Sequence, residues 1–533
     1  MSKRIILTLT VLLLFVVGVL PVLSMLWKSL FVDGHFGLDA WRGLLASAHQ
    51  WMLMRNSLAL ASLVTLFTFV LGVPLGILLG KTDLPARRFL TLLFTIPLLI
   101  PPYIVAVSWF DLLGRDGLLA RGFGVSTAGI DDLLFGLPGC AFVLVSIYLP
   151  IPMLLTMIFT RAIDPRLEEA GRLVTDWRGV LRGITLPLIL PGLLLSALLV
   201  FLLAFGQFSV PSFLRYAVYP VESFTQFSAF YDFDAATVAV LPLAGVALIL
   251  LLAEGIFLRD RAWQALSAPA STRPLLIPLG ARRRVCWVLV VLAGFFLVVV
   301  PLVVLLIQAA GAYGEAFDRA AASLSRSLAY AAIGATALTV LGFLVAYLVH
   351  AKALCCWRWV DTSTLFLFAL PGTVIGIGLI GLWNRPATNW IYATPLIILF
   401  GYLAKYTVLT SRISVSQLVR IPSSMEEAAR IAGAGWLRRL LLIVVPLARR
   451  GLLASWLVAY LFSLRDTSIT MLVYPPGHET LPVRIFTLMA NGSPALIAAL
   501  CVIMVAAALL PAGLLWILLT WRRPGREEGG LAG

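Results

Sequence analysis

Gly80-Lys81-Thr82 has the ending of a phosphate-binding loop, in which backbone N–H groups and a lysine surround phosphate oxygens. That chemistry needs a glycine at position 75, where Leu75 stands, and the tripeptide closes an apolar run instead of following a soluble strand. The chain therefore carries no nucleotide-hydrolysing loop of its own. The four histidines, His35, His49, His350 and His478, are widely separated, and the acids of the polar stretches are too scattered to define a set of converging oxygen ligands. Cys140, Cys286, Cys355, Cys356 and Cys501 lie in or beside apolar stretches without Cys-x-x-Cys spacing, so they read as packing or interfacial thiols.

The acids that do repeat open two segments of common design. Glu168, Glu169 and Ala170 begin a stretch that closes at Pro187; Glu426, Glu427, Ala428 and Ala429 begin one that closes at Pro446. Each continues through small residues, an arginine-bearing linker and a hydrophobic run. Ser423 and Ser424 offer helix starts in the second copy, and acids near a helix N-terminus sit at the favourable end of its dipole. The small alanine face admits a close-packed partner, Gly433 turns the chain, and residues 436–442 are expected along the headgroup boundary before Pro446 opens the next span. Glu169 lies 18 steps from Pro187 and Glu427 lies 19 from Pro446, which predicts a one-residue gap between the copies; Gly433 faces Val174 or Thr175. The chemistry of such a knob is docking, with no bond made or broken.

A docking knob needs something rigid behind it, and composition supplies the setting. With 61% apolar residues, 12% charged residues and a mean hydropathy of +1.00, 533 residues cannot cover themselves with polar surface. The bilayer is the solvent. About twelve apolar spans are predicted, at 5–27, 57–79, 89–110, 137–159, 187–206, 236–257, 286–308, 327–349, 362–383, 391–410, 447–468 and 495–519, each long enough as a helix for about 30 Å of hydrocarbon. The first is expected to be a retained anchor, since it lacks a clear cleavage site. Placing the N-terminus in the cytoplasm puts 28 of the 40 Lys and Arg residues on that side, so the excess of +15 reads as a topology signal and calls for no nucleic acid. Both termini are then cytoplasmic.

The spans repeat. Ser57-Leu-Ala-Leu-Ala recurs as Ser327-Leu-Ala-Tyr-Ala at an offset of 270, Pro102 pairs with Pro371 at 269, and Pro187 and Gly192 pair with Pro446 and Gly451 at 259. Two parallel six-helix repeats follow: a first membrane domain over 1–258, a basic cytoplasmic linker over 259–285 and a second domain over 286–533. Gln207 aligns with Asp466, and both are candidates to line a path between the halves. Lys405 is the clearest charge within a predicted span, where it either pairs, snorkels or faces a cavity. Gly72, Gly76, Gly376 and Gly378 are expected at close helix contacts.

Glu427, Ala428, Ala429, Gly433 and Pro446 resemble the EAA loop of permease subunits in binding-protein-dependent ABC importers, and Glu168 or Glu169 with Ala170 and Pro187 match it more loosely. The resemblance covers roughly 57–257 and 327–519. It implies an all-α polytopic membrane protein of the type I ABC importer permease kind, non-catalytic, in a bacterial cytoplasmic membrane. It further implies two copies of a cytoplasmic ATPase that bind ATP and Mg, and a periplasmic or extracellular solute-binding protein that docks on the outward segments 28–56, 207–235, 309–326 and 465–494. The fused layout, with Leu99-Ile-Pro-Pro-Tyr and Tyr219-Pro-Val-Glu-Ser-Phe, is most similar to the iron(III)-type branch. Thiamine, organophosphonate and polyamine permeases are alternatives, and an ion-coupled secondary transporter is a more distant one.

Overall fold

The computed structural model describes residues 2–32, 35–37, 39–114, 117–123, 129, 133–228, 233–257 and 275–521. Most of the linker (258–274) and the tail with Arg522, Arg523 and Arg526 lie outside that set. The first half contains α1 (Lys3–Leu30), α2 (Ala48–Lys81), α3 (Arg87–Leu99), α4 (Pro102–Leu113), α5 (Leu137–Ala162), α6 (Pro165–Arg172), α7 (Leu186–Phe205), α8 (Tyr219–Ser228) and α9 (Phe233–Phe257). The second contains α10 (Gly280–Gln308), α11 (Tyr313–His350), α12 (Trp357–Ala369), α13 (Gly372–Trp383), α14 (Leu396–Leu418), α15 (Ser423–Ile431), α16 (Val445–Leu464), α17 (Leu481–Leu488) and α18 (Pro494–Trp521). Each element of the first half has its counterpart nine places later.

Among the described residues nine helices are long and apolar enough to cross a bilayer, and eleven if each of two bent pairs counts as one span. Those pairs correct the straight helices expected at 89–110 and 362–383. The chain bends by 99° between α3 and α4 and by 109° between α12 and α13. Proline is the cause: Ile100 and Leu370 are extended immediately before Pro101 and Pro371, because a residue preceding proline is driven out of the helical region. Another correction concerns Pro187 and Pro446. Neither starts a span; each lies well inside a helical run that begins at Trp177 or Trp436. The wide turns at 181–185 and 440–444 precede them, and such a turn relaxes the hydrogen-bond ladder that proline interrupts.

The repeated landmarks have repeated duties. Ser57 Oγ accepts a hydrogen bond from Tyr219 N at 2.9 Å, and Ser327 Oγ accepts one from Leu481 N at 2.6 Å, so each serine on a long helix caps the start of α8 or α17. Those two helices show that the segments expected to face outward contain packed helical structure and are not simple loops. Gly72 rests on the backbone of Leu149 and Met153, as Gly342, its counterpart, rests on Thr410 and Ser411.

The halves also exchange their first helices. α1 packs on α13 and α14 of the second half, while α10 packs on α3 and α4 of the first. Gly18 lies against Leu367 of α12, and Gly294 lies against Leu93 and Phe94 of α3. Reciprocal contacts of this kind are what a pseudo-twofold arrangement requires.

Candidate functional site

The first knob is held from inside. Asp164 caps α6 by accepting from Arg166 N at 3.0 Å, and the helix turns Glu168 away from solvent. Its Oε2 lies 2.5 Å from Lys81 Nζ, and its Oε1 accepts from Thr185 Oγ1 at 2.9 Å. Lys81 is the last residue of α2, and Thr185 belongs to the wide turn leading into α7, so one carboxylate joins three elements. Both charged side chains are at most 2% exposed. Glu169 and Ala170 point outward, and Leu173 and Val174 form an apolar tip, each 89% exposed. The end of the linker is fastened beside this knot, where Ile277 pairs with Thr82 and Leu279 N donates to Asp83 Oδ1 at 3.0 Å.

The second knob is held from its side. α15 begins directly after Pro422, and neither the Ser423 nor the Ser424 hydroxyl caps it, contrary to the expectation from sequence. Ser423 is already the first helical residue, so its position is one too late for that bond. Tyr347 Oη donates to Glu426 Oε2 at 3.4 Å, and Trp436 meets the Tyr347 ring edge-on with centroids 5.8 Å apart. The Lys3 ammonium lies 5.4 Å from the same ring. Glu427 and Ala428 are exposed and Ala429 is half-buried. At the C-terminus Ala434 N reaches Ala429 O and Gly433 N reaches Arg430 O, both at 3.0 Å, with Gly433 at φ +81°, a Schellman cap that requires the left-handed backbone glycine allows. Val174, opposite Gly433, has no positive φ, and α6 instead ends in tight turns back to Ala170 and Gly171.

The expected one-residue gap is absent. α6 and α15 end at Arg172 and Ile431, and the next helical turns begin at Trp177 and Trp436, all at an offset of 259. In this register Glu168 falls opposite Glu427. Glu427 is nevertheless exposed, because at the 270-residue offset of α2 and α11 Ala351 stands where Lys81 does, and the first half's cation has no counterpart there. A cleft of about 250 Å³, lined in part by Tyr347, His350, Glu426, Glu427, Arg430 and Arg439, lies where the first half has its ion pair.

Gln207, Lys405 and Asp466 converge. They line one cavity of about 70 Å³ between the halves, together with Pro102, Pro371 and Arg465. Its walls are reciprocal. A Cβ on Gly206, just after α7, would lie 3.1 Å from Pro371 Cα, and Arg465, just after α16, donates to Leu98 O near the other bend. Gln207 Oε1 accepts from Tyr148 Oη at 3.2 Å and its Nε2 donates to Ser209 Oγ at 2.9 Å. Asp466 is saturated: Oδ1 accepts from Tyr406 Oη at 2.8 Å, and Oδ2 accepts from Ile469 N, Thr470 N and Thr470 Oγ1. Lys405 has neither a hydrogen bond nor an ion pair among the described residues; its Nζ stands 6.0 Å from the Tyr406 ring.

No protein-family model matches the chain. It is 24% identical over 87% of its length to the ferric transport system permease protein of Actinobacillus pleuropneumoniae, 70% of which is covered. It is 28% identical to the molybdenum transport system permease protein ModB of Escherichia coli, over 30% of this chain and 69% of that one. A probable molybdenum ABC transporter permease protein of Haloferax volcanii is 31% identical, with 70% of it covered by 36% of this chain. The chain belongs to the ABC-transporter permease superfamily.

As an ABC permease it is a membrane-embedded importer subunit with a transport role and not an enzymatic one. The Haloferax relative is about half its length, which fits a chain built from two like halves. Reading the permease sequence alone misses Lys81 and Thr185, the partners of Glu168, and Tyr347, the partner of Glu426. A signal for Lys81 exists: it is a lysine in the last turn of a long apolar helix, and a charge in such a place needs an internal acid or the headgroup layer.

Proposed function

We propose that this permease forms the translocation path of an ATP-driven importer in a bacterial inner membrane and that its two knobs receive two copies of a cytoplasmic ATPase, which bind ATP and Mg. The observation that carries the reading is the knob pair itself: two short helices of matching register, each joined to the membrane helices on either side by short turns, each presenting an apolar tip. Leu173 and Val174 project from one, and Ile431, 85% exposed, projects from the other. Exposed apolar residues at a helix end fit a protein groove better than water. Glu169, Ala170, Glu427 and Ala428 flank the tips, while Glu168 and Glu426 fix the knobs to α2 and α11. Closing the ATPases would move the knobs together and tilt α7 and α16 about the bends, opening the central cavity to one side and then the other. Both termini would be cytoplasmic, and a solute-binding protein would deliver cargo to the opposite face.

For the cargo, the near full-length likeness to ferric permeases supports iron(III). The higher identity over a shorter span to molybdenum permeases supports a small inorganic anion. Thiamine, organophosphonate and polyamine remain alternatives to be tested alongside them.

The test is co-purification with the cognate ATPase and reconstitution with the cognate binding protein. Wild type should show ATP hydrolysis stimulated by binding protein loaded with its solute, tried with iron(III), molybdate, phosphonate, thiamine and spermidine. Uptake without any ATPase, or knob variants that hydrolyse and transport like wild type, would overturn the proposal.

A further inference from the structure

We propose that the central cavity is an anion site, in which Lys405 and Arg465 receive a small oxyanion as it crosses between the halves; this rests on the transport reading above and narrows its cargo. The cavity lining carries two cations and one carboxylate. Neither cation lies within ion-pair distance of Asp466, whose oxygens are both engaged by a tyrosine hydroxyl, two backbone N–H groups and a threonine. Four neutral donors satisfy that carboxylate, and the cations keep their charge for something else.

The donors left over point the same way. Among the described residues Arg465 gives one hydrogen bond, to Leu98 O, out of five N–H groups, and stacks its guanidinium on Phe462 at 4.2 Å. Lys405 gives none. Thr467 Oγ1 is buried on the cavity wall without a hydrogen-bond partner, and Ser468 stands next to it. An ammonium, a guanidinium fork and a hydroxyl around a small space form a set suited to tetrahedral or planar oxygen anions. A bare metal cation would meet a net positive wall whose single carboxylate is occupied. Uncompensated charge at membrane depth is costly, and a passing anion relieves it.

The oxyanion has two possible sources with one chemistry: it is the cargo itself, or it arrives as a ligand on a metal ion. Thermal unfolding of the full chain in nanodiscs separates them, because a ligand that binds the folded state raises the melting temperature even when binding is weak. Orthophosphate and molybdate are titrated at constant ionic strength against chloride, with and without ferric nitrilotriacetate. Wild type and Lys405→Arg should show a saturable rise, and Lys405→Met should lose at least half of it while eluting as wild type on size exclusion. A rise with the oxyanion alone assigns the anion as cargo; a rise only when ferric iron accompanies it assigns the anion as the metal's ligand. No rise in wild type, or an equal rise in Lys405→Met, overturns the proposal. None of these readings requires an ATPase, so a failure here leaves the knob reading standing and the reverse also holds.

Discussion

The two knobs share a register and differ in what they do with their acid. In the first, Glu168 is an internal strut, fixed by Lys81 and Thr185 in a buried site. In the second, Glu427 at the same register is in solvent, and the knob leans on Tyr347 through Glu426 and Trp436. The two copies share a helix register and differ in their fastening, a buried charge pair in one and an aromatic bracket beside an open cleft in the other. A buried pair tolerates little displacement, because separation strands two charges; an aromatic bracket can slide. The first knob is thus the stiffer attachment, and the second the one with room to adjust.

The largest effect follows from stranding a charge. Glu168→Ala leaves Lys81 buried and unpaired, which should cost about 3–5 kcal/mol, whereas Glu427→Ala should stay within about 0.5 kcal/mol. Thermal unfolding in nanodiscs compares the two directly. Removing both charges, as Lys81→Met with Glu168→Leu, should recover most of the loss, since an apolar pair of similar size replaces a desolvated ionic one. Equal costs at Glu168 and Glu427 would end the contrast.

A second pair tests how far the halves share their packing. Gly192 of α7 sits against the buried ring of Phe159, and Gly451 of α16 sits against the side chain of Gln417. A methyl at Gly192 has a rigid aromatic to displace, and one at Gly451 has a flexible amide. Gly192→Ala should therefore cost about 1–3 kcal/mol and Gly451→Ala less, again by unfolding. Reversal of that order would mean that α16 is the tighter seam.

Which features were legible from sequence follows the range of the forces involved. The knobs, the repeat and the approximate spans are local patterns of charge, small residues and hydropathy; two short helices in a common register stand where the acids repeat, while among the described residues nine to eleven helices, and not twelve, meet the length and composition of a span. Gln207, Lys405 and Asp466 stand out in the sequence as polar groups in or beside apolar stretches, and they meet in one cavity. What could not be read depends on partners far along the chain. Glu168 and Glu169 look equivalent in a string, and only the rotation of α6 relative to Lys81, 87 residues earlier, decides which one is buried. The exchange of α1 and α10 leaves no mark in periodicity either, because a lipid-facing apolar surface and a protein-facing one have nearly the same composition. The bends did have a local signal in Pro101 and Pro371, yet a hydropathy window averages across them.

Charge reversal at the exposed acid sharpens the comparison from the functional side. Glu427→Lys should lower ATP hydrolysis coupled to transport about tenfold, equivalent to about 1.4 kcal/mol, without shifting the unfolding transition. Glu169→Lys should do the same more weakly, because the buried strut holds the first knob in place whatever its rim carries. A stability loss in Glu427→Lys would show that the second knob depends on that acid structurally.

The finest test concerns the bracket. Tyr347→Phe keeps the ring against Trp436 and removes only the hydroxyl, whose bond to Glu426 is long at 3.4 Å. A bond of that length in a partly exposed site should be worth about 0.5 kcal/mol at most. Tyr347→Leu removes the edge-on ring contact as well, for a further 0.5–1.5 kcal/mol or so. Hydrogen exchange of the α15 amides, with and without nucleotide-loaded ATPase, separates the two contributions. If the second knob adjusts by sliding on the ring, Tyr347→Phe should exchange as wild type does and Tyr347→Leu should exchange faster, in the free permease most of all, while α6 keeps its protection in both. Equal loosening of α6 and α15 would mean that the knobs are coupled through the bundle, and that their different fastenings do not set their stiffness.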